Sequence, residues 1–442
     1  MIKRGGLVLV VTYLLAGGLT TAHAIIPATE RAALIALYTD TNGETWSNKS
    51  GWQTPPLAAD GFALPGEECN WYGVWCDVGE TTVDALELEN NNLTGSLPAA
   101  LGDLGGLIYL YLNNNQLTGS IPPALGNLSN LLDLSLEHNL LTGSIPADLQ
   151  YLASLENLWL NDNDLTGSIP PELGTLSTLL DLSLYNNGLT GSIPPELGGF
   201  PNLVVLWLDG NSLSGSIPLE LGYLSTLDSL FLFDNQLSGA IPPELENLVS
   251  ARTLYLNGNL LTGAIPPELR NLLSIEDLFL YANQLTGSIP PELGDLDTLQ
   301  FLYLNDNQLT GSIPPELGYL PNLQRLLLNG NQLSGVIPRQ IGNLDSLLYT
   351  YLNDNALSGP IPAEMLSLTT LINNRSNFCN NALYTGNSTL SNFLDSKQIG
   401  GDWESCQVDA VPTMPRAGLL VLCAALVGSA LWLMGRSRIA TG

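Results

Sequence analysis

Leu158-Trp159-Leu160-Asn161-Asp162-Asn163-Asp164-Leu165-Thr166-Gly167-Ser168-Ile169-Pro170 decides the fold, because the chain spells it out twelve times. The pattern L-x-L-x-x-N-x-L-[ST]-G-x-[IL]-P puts its asparagine at Asn91, Asn115, Asn139, Asn163, Asn187, Asn211, Asn235, Asn259, Asn283, Asn307, Asn331 and Asn355, always 24 residues apart. In Leu158-Trp159-Leu160 two leucines alternate with an outward residue, the period of a short strand with one buried face. One such strand cannot bury its apolar side alone, whereas stacked copies can. The 442 residues are therefore expected to form one solenoid rather than three globular domains.

Each repeat should add one strand to a parallel sheet, about 4.8 Å from the last. The asparagine follows as the chain turns away, where its side chain can satisfy backbone groups and stack into a ladder. Gly95, Gly119 and their equivalents suit a turn, and the Ile-Pro that follows in most repeats an extended flank. The remaining Pro-Glu-Leu-Gly-x-Leu is too short and too rich in Pro and Gly for a full helix, which leaves 3₁₀ turns on the convex side.

The phrase resembles the plant-type leucine-rich repeats of plant receptor ectodomains, polygalacturonase-inhibiting proteins and many exported bacterial proteins. The resemblance covers roughly residues 28–405. It implies an α/β-type leucine-rich-repeat solenoid, a horseshoe or superhelix with a parallel β-sheet on its concave face, a 3₁₀ or irregular convex face, and N- and C-terminal caps. Glu30 to Tyr38 reads as a short capping helix, and Trp46, Trp52 and Cys69-Asn70-Trp71-Tyr72-Gly73-Val74-Trp75-Cys76 resemble the family's N-terminal cap, in which the two cysteines are normally bridged. The second pair is Cys379 and Cys406, with Cys379 falling at the next rung of the asparagine ladder. Four cysteines allow three pairings, of which the local one alone joins partners within a cap. The expected division is a signal peptide at 1–24, an N-terminal cap at 25–84, repeats at 85–368, a C-terminal cap at 369–410, and a sorting motif, membrane segment and basic tail at 411–442.

Both ends read as addresses. Lys3 and Arg4, an apolar run from Leu7 to Leu19, and Ala22-His23-Ala24 form a secretory signal. Ala417 to Gly435 is uncharged and long enough to cross a bilayer. Val411-Pro412-Thr413-Met414, this span and the arginines after it resemble the tripartite IPTL and PEP sorting signals of Gram-negative bacteria, which implies an exosortase-like processing enzyme. A plain single-pass anchor or a GPI signal fits the same segment. Each reading exports the repeats to the cell surface or outer envelope, where disulfides persist.

Charge excludes several functions. The net charge is −29, and residues 25–415 carry eight basic against all 42 acidic residues. Such a surface repels phosphate backbones, so no nucleic-acid partner is expected. With His23 in the signal segment, His138 alone remains, which argues against zinc sites and a serine hydrolase. No metal or cofactor is expected, and an open sheet offers no water-excluding pocket for catalysis. The series Glu172, Glu196, Glu220, Glu244, Glu268, Glu292 and Glu316 reads as a solvated face that keeps the solenoid soluble.

Recognition must then sit at what varies. The central outward strand position, four residues before each asparagine, reads Glu87, Tyr111, Ser135, Trp159, Ser183, Trp207, Phe231, Tyr255, Phe279, Tyr303, Leu327 and Tyr351. Eight of these twelve are aromatic, against about one expected at the chain-wide 7%. Tyr109, Tyr185, Phe233, Tyr281, Phe301 and Tyr349 lie beside them, interspersed with Asp133, Asp181, Asp209 and Asp277 and with Asp162, Asp234, Asp306 and Asp354. Aromatics favour strands and repeats are copied, as Leu-Leu-Asp-Leu-Ser-Leu at 131–136 and 179–184 shows. Yet a contiguous aromatic strip with acids is what a binding face requires, since Tyr and Trp dominate interface hot spots. The expected partner is an extracellular protein or peptide, with a glycan stacked on the same rings as the alternative. These side chains face away from the leucine core, so replacing them is expected to leave folding almost intact.

Overall fold

The computed structural model describes residues 25–408. The signal-like segment, Val411, Pro412, Thr413 and Met414, and the apolar span with Cys423 lie outside the described residues.

The main sheet has thirteen strands. Twelve of them, from Val83–Glu87 to Tyr349–Tyr351, run parallel at the 24-residue period, so that Leu158 lies between Leu134 and Leu182. Leu158 and Leu160 are fully buried and Asn163 is 8% exposed, which fixes the register read from the repeat. The thirteenth strand, Val74–Cys76, pairs antiparallel with Val83–Glu87 and closes the sheet edge. Sequence reading missed it, because it belongs to the cap and carries no repeat phrase.

The ladder works across rungs as well as within them. The Asn163 Nδ2 donates to the carbonyl of Leu160 at 3.1 Å in its own repeat and to that of Leu136 at 3.0 Å in the previous one. Its Oδ1 accepts the N–H of Leu141 at 3.0 Å, again in the previous repeat. Buried backbone groups beyond the strand ends are thus paired, as they must be away from water. The C-terminal rung departs from the expectation. Asn381, not Cys379, accepts the Leu357 N–H at 3.0 Å and donates to Leu352 and Phe378. An amide can accept and donate at once, whereas a disulfide sulfur cannot.

The extended flank forms a second parallel sheet of eight strands, from Thr94–Ser96 to Leu260–Leu261, and a three-stranded one further on. Gly167 turns there at φ +83°, a left-handed conformation that a side chain strains. Every repeat then makes one 3₁₀ turn, such as Pro171–Thr175, on the convex side, as its composition predicts. Here Gly174 has a different reason. A Cβ at Gly174 would come within 2.3 Å of the Glu196 carbonyl oxygen in the next repeat, so the turns stack only without one.

The caps cover the solenoid's open ends. Helix α1 (Ala28–Asp40) buries Leu34 and Leu37. The Glu30 carboxylate accepts the Val83 N–H at 2.8 Å and the Thr82 hydroxyl at 2.6 Å. Tyr38, Trp46, Trp52, Phe62 and Trp71 form one aromatic cluster, with Trp52 centred 4.7 Å from Trp71 and 5.1 Å from Trp46. Arg31 joins it from the side, paired with buried Glu68 and with Asp60 and lying over the Trp71 ring. Disulfides Cys69–Cys76 and Cys379–Cys406 staple the two caps. At the far end helix α2 (Ser388–Lys397) starts at Asn387, whose Oδ1 accepts the N–H groups of Thr389 and Leu390. Among the described residues no helix is long and apolar enough to cross a membrane.

Candidate functional site

The outward residues of the twelve strands share one open concave face. Tyr111, Trp159, Trp207, Phe231, Tyr255, Phe279, Tyr303 and Tyr351 are all half-buried there. The strip is not uniform. From Tyr185 the rings run unbroken through Trp207, Phe231, Tyr255 and Phe279 to Tyr303, with successive centroids 4.1 to 5.1 Å apart. Tyr255, Phe279 and Tyr303 are stacked within 5° of parallel. Arg325 continues the run, its guanidinium over Phe301 and Tyr349 and its Nη1 donating to the Tyr303 hydroxyl at 3.1 Å. Trp159 stands apart between the small Ser135 and Ser183, and Tyr111 contacts only its neighbour Tyr109 among the ring pairs of the described residues.

The four site aspartates differ in kind. Asp133 accepts the Tyr111 hydroxyl at 2.5 Å, and Asp277 accepts that of Tyr255 at 2.9 Å, each from the rung before. Burial and then the carboxylate beside them push both phenols well above the ordinary tyrosine value. Asp181 accepts the Ser183 hydroxyl at 2.8 Å, and its burial raises its carboxyl. Asp209 is 4% exposed, and its Oδ1 has no hydrogen-bond partner. Burial, with Asp234 and Asp162 nearby, pushes the Asp209 carboxyl up to about 7.

That raised value gives a stability prediction. Between its ordinary 3.8 and about 7 the folded chain holds a proton that the unfolded chain releases. Stability from this group is therefore complete below pH 4, falls as pH rises towards 7, and stays reduced above. Asp209→Asn should stabilise the protein at pH 8 by about 1–3 kcal/mol, the usual cost of a buried unsatisfied polar group, and leave it unchanged at pH 4. Thermal melts of both proteins at the two pH values check this.

Asp162, Asp234, Asp306 and Asp354 have a conformational reason to be where they are. Each sits one residue before its ladder asparagine at φ between 49° and 56°. Asn114, Asn186, Gly210 and Gly258 take the same position and conformation, which those residue types tolerate best. Their placement thus has a backbone reason that is independent of their charge. Conversely, a polar column two residues before the ladder went unread. Asn257, Asn305, Asn329 and Asn353 lie there beside Asp209's position, each with a buried Oδ1 that lacks a partner. Their place in the repeat was visible, but asparagine next to a ladder of asparagines carries no contrast. Arg325 was equally visible as an outward residue, though nothing in one sequence marks it as a ring-held cation.

Among the described residues no group of three or more His, Cys, Asp or Glu is placed to hold a metal ion. The Glu172 series is half-buried to exposed on the convex side.

Comparison with known proteins agrees with this geometry. The Leucine Rich Repeat family model matches residues 83–104, 106–128 and five consecutive stretches between 154 and 272, and a two-copy version matches 297–347. No curated protein matches the chain. Among solved structures it is similar to the ectodomain of the plant membrane receptor kinase GASSHO1/SCHENGEN3 from Arabidopsis thaliana, in complex with CASPARIAN STRIP INTEGRITY FACTOR 2. The two are 36% identical with a TM-score of 0.70, over 82% of this chain and 46% of that one. The Arabidopsis receptor kinase HAESA, in complex with the peptide hormone IDA and the co-receptor SERK1, is 29% identical with a TM-score of 0.63, over 81% of this chain and 66% of that one. The chain thus spans about half the length of the first plant structures it matches. A leucine-rich-repeat protein of Leptospira interrogans is 32% identical with a TM-score of 0.61, over 78% of this chain and 86% of that one. With that coverage, and with the repeats matched along the solenoid, the chain belongs to the leucine-rich-repeat family.

Proposed function

We propose that this is a non-enzymatic recognition or adhesion protein of the cell surface, which binds an extracellular protein or peptide along its concave face. The observation that carries the reading is the unbroken, half-exposed run of rings from Tyr185 to Tyr303. Large rigid side chains that expose apolar area at little entropic cost are what hot spots are made of. HAESA is in complex with a peptide hormone and GASSHO1/SCHENGEN3 with CASPARIAN STRIP INTEGRITY FACTOR 2, which supports the same class of partner. On this reading the signal segment exports the chain, the caps and repeats face outward, and the segment after Pro412 anchors it or is removed by a sorting enzyme in a Gram-negative envelope.

The glycan alternative loses ground on geometry. A sugar ring stacks on a free aromatic face, but Phe279 is stacked between Tyr255 and Tyr303 and each of those two gives one face to it. Trp159, which no ring covers among the described residues, remains as a platform of that kind. Screening the exported protein on peptide and glycan arrays separates the two. Saturable peptide capture supports the proposal, while capture of glycans alone, lost on Trp159→Ala, replaces it with the sugar reading.

A further inference from the structure

Among the five side chains at this repeat position whose Oδ1 is buried without a partner, Asp209 is the one that can carry a charge. A carboxylate that is nineteen-twentieths buried normally has a cation or several donors around it. Here the backbone is spoken for, because the Asn186 N–H donates to the Asp209 carbonyl and the Gly210 N–H to that of Phe233. The side-chain Oδ1 makes no hydrogen bond of normal geometry, although its own N–H and the Trp207 indole lie close enough to lower the carboxyl against its burial. Two residues earlier on the same outward face, the Trp207 Nε1 is also buried without a partner. Tyr185 and Phe233 occupy Asp209's position on the strands before and after, and the Tyr185 ring lies 4.4 Å from that of Trp207. Asp162 and Asp234 add negative charge beside them.

Asp162 is already satisfied within the chain. It accepts from Asn161 at 2.8 Å and from Asn186 at 2.9 Å, and it faces His138 at 3.4 Å. Asp209 therefore lacks what Asp162 has. Aromatic residues thus flank an acidic acceptor along and across the strands. That combination takes an organic cation, whose charge the carboxylate balances and whose flanks the rings cover.

We infer that Tyr185, Trp207, Asp209 and Phe233, with Asp162 and Asp234 behind them, form a subsite for a lysine or arginine side chain of a bound peptide. This rests on the concave face being the binding surface, and it names the chemistry that the surface selects. The charge balance agrees, since residues 25–415 carry eight basic against 42 acidic residues and so draw basic segments in. Tyr185, Trp207 and Phe233 are half-exposed on an open sheet, so the access that the subsite needs is a side-chain rotation rather than an opening of the fold. Ligand binding would then convert a buried, half-protonated acid into a paired one.

The test uses Nα-acetyl-arginine methylamide as the probe, with the isosteric but neutral citrulline analogue as control. The readout is the indole N–H resonance of Trp207, assigned by its loss in Trp207→Phe. Saturable shifts are expected with the arginine probe, about tenfold or more weaker with citrulline, and about tenfold weaker for arginine in Asp209→Asn. Asp181→Asn, the other buried carboxylate of the face, should bind as the parent does. Equal response to arginine and citrulline overturns the inference, as does undiminished binding by Asp209→Asn. The comparison of the two probes on the parent protein holds even if a variant fails to fold. Failure on peptide arrays alongside a saturable arginine response would instead remove the recognition reading and leave the cation subsite standing.

Discussion

A protein carrying Trp207→Ala and Tyr255→Ala should bind its array-selected peptide at least about thirtyfold more weakly, which is about 2 kcal/mol or more. Both rings lie in the middle of the unbroken run, where hot spots concentrate because the surrounding contacts exclude water. Deleting Tyr255 opens a gap between Phe231 and Phe279, whose rings each touch it. It also leaves Asp277 without its phenol donor. Deleting Trp207 separates Tyr185 from Phe231. The same contacts revise the expectation that folding would be almost untouched. Each ring pair contributes about 0.5–1.5 kcal/mol beyond its buried area, so a measurable loss of stability accompanies the loss of binding. Titration calorimetry and a denaturant melt on the same sample distinguish the effects. A double variant that melts cooperatively and binds as before would place the ligand elsewhere.

Trp52→Ala should destabilise the folded protein by about 3–5 kcal/mol, the range for truncating a large buried aromatic. Trp52 is fully buried at the centre of the cap cluster, touching Tyr38, Trp46 and Trp71. Its indole N–H also donates to the Tyr72 carbonyl at 3.0 Å, a bond that alanine cannot replace. A weakened cap exposes the edge of the first repeat, and an uncovered solenoid end aggregates. Deleting residues 25–80 altogether carries this to its limit and should give no soluble monomer. Chemical denaturation read by tryptophan fluorescence measures the point variant, and light scattering the deletion. A melting curve for Trp52→Ala that overlays the parent would show that the cap contributes nothing to the stability of the repeats.

Position within the repeat was legible from spacing alone: the leucines of the strands, the twelve ladder asparagines and the convex 3₁₀ turns all fall where the period puts them. Pairing between rungs was not. That Tyr111 spends its hydroxyl on Asp133 and Tyr255 on Asp277 depends on rotamers, and Asp181, the third acid at that position, accepts from Ser183 instead. The four aspartates that precede ladder asparagines look functional in a sequence, but in the fold they also answer to a left-handed backbone at that position. Asn381 was hidden for the opposite reason. It lies two residues off the period, and only the geometry of the cap brings its amide onto the rung. Of the candidate site, the composition of the strip was readable, whereas its division into a stacked run, an isolated Trp159 and an unsatisfied Asp209 was not.

Because each ladder asparagine completes hydrogen bonds in the repeat before it, no repeat is finished until its successor is in place. Heredity must respect that. A gene for such a protein can lengthen or shorten by whole copies of 24 residues, since a copied unit arrives with the acceptor and donor its neighbour lacks. A gain or loss of a single codon inside the array leaves one rung mute. The paired Leu-Leu-Asp-Leu-Ser-Leu segments at 131–136 and 179–184 are the trace of growth by that rule. The two-residue slip at Asn381 is found where it does least harm, at the last rung, with a cap rather than another repeat behind it. The reach of the concave face, and with it the length of ligand it can span, is thereby set in discrete steps.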